Sequence, residues 1–149
     1  MRSPLFRSLR VVVIFFLVVL SLQFEFGMAI NLSPNLTDQP PFGFSLAQLY
    51  QTLQTVGLAG PIHATIGFFL LLLAIVNLVL ALRTRVRGVQ VFGILGFVSV
   101  MLALATGILF TLSGFQNDGY SHGMATNFLL TFIFYFVELY LLKPAPITN

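Results

Sequence analysis

Four apolar runs of about 20 residues each, at positions 11–30, 62–82, 91–112 and 124–142, make up most of this chain. As helices rising ~1.5 Å per residue, each is long enough to cross ~30 Å of hydrocarbon. Little remains between them. The pattern predicts one all-α domain over 1–149, an integral membrane up-down-up-down four-helix bundle, and leaves no room for a soluble catalytic module.

The longest connection, at 31–61, divides in two. Its first part, to residue 43, is rich in Pro, Asn, Ser and Thr, and Pro40-Pro41 forbids regular helix there. Across 44–56, Leu46, Leu49, Tyr50, Leu53 and Val56 recur at helical spacing, with Gln48, Gln51, Thr52, Gln54 and Thr55 between them. That spacing predicts a short amphipathic helix lying in the membrane interface, either capping the bundle or covering a cofactor beneath it. Gly57, Gly60 and Pro61 end it and turn the chain into the second span.

Composition agrees with a membrane protein: 58% hydrophobic and 7% charged residues, with mean hydropathy +0.99. The seven basic residues fix an expected orientation. Arg2, Arg7 and Arg10 precede the first span, Arg83, Arg85 and Arg87 join the second to the third, and Lys143 follows the fourth. Under the positive-inside rule both termini and the arginine loop are cytoplasmic, in a multi-pass plasma-membrane protein whose other two loops face out. The pI near 9.8 follows from this distribution and does not point to nucleic acid. Residues 1–29 also have features of a cleaved signal peptide, with arginines, an apolar core and Gly27-Met28-Ala29. The apolar stretch continues through Phe24, Phe26, Met28 and Ile30, which favours a retained helix. Asn31-Leu32-Ser33 and Asn35-Leu36-Thr37 match the glycosylation sequon, the first followed directly by Pro34.

The chain has no cysteine. A c-type haem attachment, an iron–sulfur cluster, a thiolate nucleophile and a disulfide are thereby excluded. A metal or redox centre would have to use the two histidines. His63 and His122 each open an apolar run, so their imidazoles are expected at one depth near the outer face. At about 100° per residue, Gly67, Leu70, Ala74, Asn77 and Ala81 share the His63 direction. In the fourth span the corresponding stripe is Ala125, Thr126, Leu129, Ile133, Phe136 and Tyr140. Gly93, Gly96, Val100, Ala103 and Gly107 align in the third span, and Phe16, Leu20, Gln23 and Gly27 in the first. Small residues on such stripes suit close approach of helices or of a flat ligand. The segments starting at His63 and His122 also resemble each other, and each follows a span with a glycine near its outer end, Gly27 and Gly107. The two halves of the chain thus read as copies.

In an up-down-up-down bundle the second and fourth spans are diagonal, which would set His63 and His122 across the core with Gly27 and Gly107 on the other diagonal. This arrangement resembles the transmembrane cytochromes b, including the ascorbate- and ferric-reductase group, over roughly residues 20–142. The resemblance implies one haem b, with His63 and His122 as iron ligands and Gly27 and Gly107 making room for the ring. Gly67, one turn below His63, joins the expected pocket. Two-haem members carry a further histidine about four turns along each ligand helix, where this chain has Asn77 and Phe136. The implied function is single-haem electron transfer, exchanging electrons with an external carrier or a neighbouring respiratory or redox subunit, in a chain that could also form an oligomer. No nucleophile, acid–base pair or phosphate loop points to a turnover enzyme. The alternative is a cofactor-free structural or accessory subunit, its small-residue stripes packing helices and Glu25 meeting a partner. Glu25 is expected to face away from the pocket, and Glu138 to sit near the cytoplasmic end beside Lys143.

Overall fold

The computed structural model describes residues 4–32 and 45–143, and all regular structure within them is helical: α1 (Pro4–Asn31), α2 (Leu46–Thr55), α3 (Ala59–Arg83), α4 (Arg87–Leu112) and α5 (Asp118–Leu141). α1, α3, α4 and α5 have 28, 25, 26 and 24 residues and are apolar enough to cross a bilayer. The chain is a multi-pass four-helix membrane bundle with one short additional helix. Each helix begins several residues ahead of its apolar run, because helical hydrogen bonding continues into the polar flank there. The Pro-rich connector before residue 44 and the second sequon lie outside the described residues.

Local chemistry sets the turns. At the end of α3, Thr84 is extended, and both its hydroxyl (2.7 Å) and its N–H (3.0 Å) donate to the Ala81 carbonyl. The Gln90 amide donates back to the carbonyls of Leu82 (3.1 Å) and Thr84 (2.9 Å), tying the arginine-bearing turn to the start of α4. α4 ends in a Schellman motif: Gly114 takes φ 65°, its N–H reaches the Thr111 carbonyl, and the Phe115 N–H reaches the Phe110 carbonyl. The hydrophobic contact of that motif is present too, with the Phe110 and Phe115 rings edge-on at 5.4 Å. α5 then starts at Asn117, whose side chain accepts from the Gly119 N–H at 3.0 Å.

α1 packs on α3 and α5, and α4 packs on the same two helices. The diagonals are therefore α1/α4 and α3/α5. α2 lies on α3 and α4 at the bundle end opposite the arginines, and a satellite core of Ile30, Val56, Phe110 and Phe115, with Leu53, Tyr120 and Met124, fills that end. Among its described side chains, the α2 face differs from the expected one at Thr52 and Tyr50. Thr52 is fully buried beside Val56 whereas Tyr50 is exposed, because the 49–52–53–56 spacing faces the bundle and Tyr50 falls outside it. α2 is held close. A Cβ at Gly60, in the first turn of α3, would collide with the Leu53 carbonyl.

The main core is centred on the Phe16 and Tyr135 rings, 4.2 Å apart and both fully buried. Opposite them α4 presents Gly96, where a Cβ would come within 2.9 Å of Tyr135 Cζ. The expected stripes on α1, α3 and α4 do face inward: Phe16, Leu20, Leu70, Ala74, Asn77, Ala81, Gly93, Gly96 and Val100 are all buried. Gly96→Val should therefore lower stability by about 1–3 kcal/mol through overpacking. Thermal unfolding in detergent measures this, and an unchanged midpoint would mean that the Tyr135 ring does not lie against α4.

Candidate functional site

His63 and His122 are each the fifth residue of their helix, α3 and α5, and these helices are diagonal. Both imidazoles thus start from one level, about 6 Å below the helix ends. Their surroundings differ completely. His63 is half-buried on the inward stripe of α3, facing α1. Its Nε2 lies 3.0 Å from the Gln23 amide nitrogen. The amide donates there, so the neutral ring carries its hydrogen on Nδ1. Among the described residues, that buried Nδ1 and the buried Gln23 Oε1 have no hydrogen-bond partner.

Two of the expected glycines build this contact. A Cβ at Gly27 would come 3.1 Å from His63 Cε1, and one at Gly67 would come 3.1 Å from the Gln23 amide nitrogen. Each helix therefore carries a glycine where the other sends a polar side chain. Gly27 does lie against His63, but the space it leaves is filled by the imidazole itself. Gly107 stands apart from this contact. Its open side faces Met124, whose Sδ would be 3.3 Å from an added Cβ.

His122 is exposed, and so is the whole stripe aligned with it: Ala125, Thr126, Leu129, Ile133, Phe136 and Tyr140. The buried residues of α5 are Thr131, Tyr135 and Glu138, about 160–220° around the helix from His122. The inward expectation for that stripe is thus corrected: α5 turns Thr131, Tyr135 and Glu138 to the core, and the stripe through His122 outward. Bilayer-embedded helices favour this setting, since hydrocarbon accepts apolar side chains as readily as a core does and rejects unpaired polar ones.

A bis-histidine haem needs two imidazoles facing one space. Here one faces α1 with its Nε2 engaged, and the other faces outward. The interior of the α2 end is filled by Ile30, Val56, Phe110 and Phe115. In this arrangement the donor set does not fit a porphyrin between α3 and α5. Among the described residues, no three His, Asp or Glu side chains gather to hold a metal ion.

The second polar site went unread in the sequence. Glu138, expected beside Lys143, is fully buried, and the Asn77 amide donates to its Oε2 at 2.9 Å across the α3/α5 diagonal. Lys143 instead sits over the Tyr140 ring, 4.6 Å from its centroid. Asn77 was already on the inward stripe of α3, and α3 and α5 run the same way from one level. The level argument applied to the histidines therefore also brings Asn77 opposite residues near 138. Glu25 is exposed on α1, as its position opposite Gly27 implies.

The chain matches no protein-family model, no curated protein and no solved structure.

A double-mutant cycle of Gln23→Ala and His63→Ala should give a favourable coupling of about 0.6 kcal/mol, and at most about 1.7, the range for hydrogen bonds between membrane helices. Additive effects in thermal unfolding would mean that the two side chains do not bond.

Proposed function

We propose that this protein is a cofactor-free accessory or structural subunit of a membrane complex. Exposed Glu25 carries the reading. It lies six residues inside the end of α1, flanked by the exposed apolar side chains of Leu22, Phe24 and Met28. A carboxyl side chain on a lipid-facing surface is costly, and the usual remedy is a donor or basic group on a neighbouring transmembrane helix. The interior supports the same reading, because His63 is committed to holding α1 against α3 and the core is filled with side chains. Under the positive-inside rule the arginine end is cytoplasmic, which sets Glu25 and His122 in the outer leaflet of the plasma membrane.

A second reading remains, single-haem electron transfer through His63 and His122. It is favoured by one observation, the two histidines standing at one level on diagonal helices. It requires α5 to turn by about half a revolution and His63 to release Gln23.

Extraction from native membranes in a mild detergent tests the proposal. The chain should travel in an assembly larger than its 16.5 kDa, and Glu25→Leu should release it with its unfolding midpoint unchanged. A reduced-minus-oxidised spectrum should lack b-type bands. A lone wild-type chain would overturn the accessory reading. Bands lost in both His63→Ala and His122→Ala would replace it with the haem one.

A further inference from the structure

The Asn77–Glu138 bond leaves a local imbalance of charge and hydrogen bonding. Asn77, Tyr135 and Glu138 are each 0% exposed. Among the described residues, three of their oxygens, Asn77 Oδ1, Tyr135 Oη and Glu138 Oε1, are buried without a hydrogen-bond partner. Asn77 and Glu138 are the polar neighbours of the Tyr135 hydroxyl, which makes no hydrogen bond of good geometry among the described residues. α4 closes the cluster with backbone: a Cβ at Gly93 would stand 3.4 Å from Glu138 Oε1 and 3.8 Å from the Asn77 amide nitrogen.

Among the described residues no compensating charge faces this group. α1 contributes Phe16, α3 contributes Asn77 and Ala81, α4 contributes Gly93, and Tyr135 is the other titratable neighbour. Arg83, Arg85, Arg87 and Lys143 are exposed at the adjoining end of the bundle. A buried carboxylate with one amide donor and no cation is poorly compensated, since burying a lone charge is far more costly than burying a neutral group. An all-oxygen set selects a hard cation over a soft metal. With a single formal negative charge, one monovalent ion neutralises it, whereas a divalent ion would leave net charge inside the membrane.

We propose that Glu138, Asn77 and Tyr135 form an intramembrane site for one monovalent cation, a proton or a sodium ion competing for the same carboxylate. Asn77 Nδ2 holds Oε2, which leaves Oε1, Asn77 Oδ1 and the Tyr135 hydroxyl as the oxygens available to the guest. Glu138 lies in the last turn of α5, so exchange occurs with water at the arginine end. The site is independent of any partner at Glu25.

The test uses the purified full chain in a zwitterionic detergent. Unfolding midpoints are followed against Na+ at two pH values, with N-methylglucamine holding ionic strength constant. If sodium is the guest, the wild-type midpoint should rise by about 5–10 °C at a hundredfold excess over Kd, more so at the higher pH. Glu138→Gln should abolish the rise, and Tyr135→Phe should weaken it while keeping the ring against Gly96. If the proton is the guest, sodium has no effect. The midpoint then depends on pH in the wild type but not in Glu138→Gln, and infrared spectra show a protonated-carboxyl band that the variant lacks. Should Glu138→Gln fail to fold, the wild-type infrared band and the Tyr135→Phe sodium response decide. An ionised carboxylate with no sodium dependence, or wild type and Glu138→Gln responding alike to both cations, overturns the proposal.

Discussion

Within a bilayer a polar side chain has no water to turn to, so it must find a partner inside the protein or reach the interface. In this bundle two such partnerships set how the helices are rotated. Near the α2 end, Gln23 of α1 meets His63 of α3; near the arginine end, Asn77 of α3 meets Glu138 of α5. α3 takes part in both. Its stripe of His63, Gly67, Leu70, Ala74, Asn77 and Ala81 is the reference face around which α1 and α5 are set. Dispersion packing alone would not fix those rotations, since the lipid-facing and core-facing apolar side chains of these helices are chemically alike.

Glycines let the polar partners meet. Gly27 and Gly67 receive His63 and Gln23, while Gly93 and Gly96 receive Glu138 and Tyr135. α4 sends no polar side chain into either pair and acts as the smooth wall against which α5 lies. The two ends of the bundle also differ in character. One is closed by the apolar cluster under α2, and the other holds a buried carboxyl group, Glu138, with Thr84, Val89 and Leu142 also buried there.

Most of the architecture was legible in the sequence. Four runs of sufficient length gave the four helices, Gly57 marked the break before α3, which already contains Gly60 and Pro61, and 3.6-residue spacing placed the inward faces of α1, α3 and α4. The facing of α5 was not legible in the same way. Its surface is apolar on nearly all sides, so periodicity carries almost no phase, and His122 was a misleading anchor for it. Thr131, Tyr135 and Glu138 held the phase, being polar residues at helical spacing in a segment where polar residues turn inward. Likewise Gly27 and Gly67 were correctly placed beside His63, but spacing cannot say whether a glycine's free volume receives a ligand or a neighbouring side chain. Only the position of Gln23, one turn before Gly27, hinted at the second.

The rotation of α5 is the point on which the site, the carboxyl cluster and the functional reading all depend. The chain has no cysteine, so single cysteines can be introduced along α5 from position 125 to 140, spin-labelled in lipid bilayers and probed for collision with oxygen. Accessibility should peak at 125, 129, 133, 136 and 140 and fall at 131, 135 and 138. A profile of the opposite phase, with 131, 135 and 138 facing lipid, would turn His122 into the bundle and contradict the account.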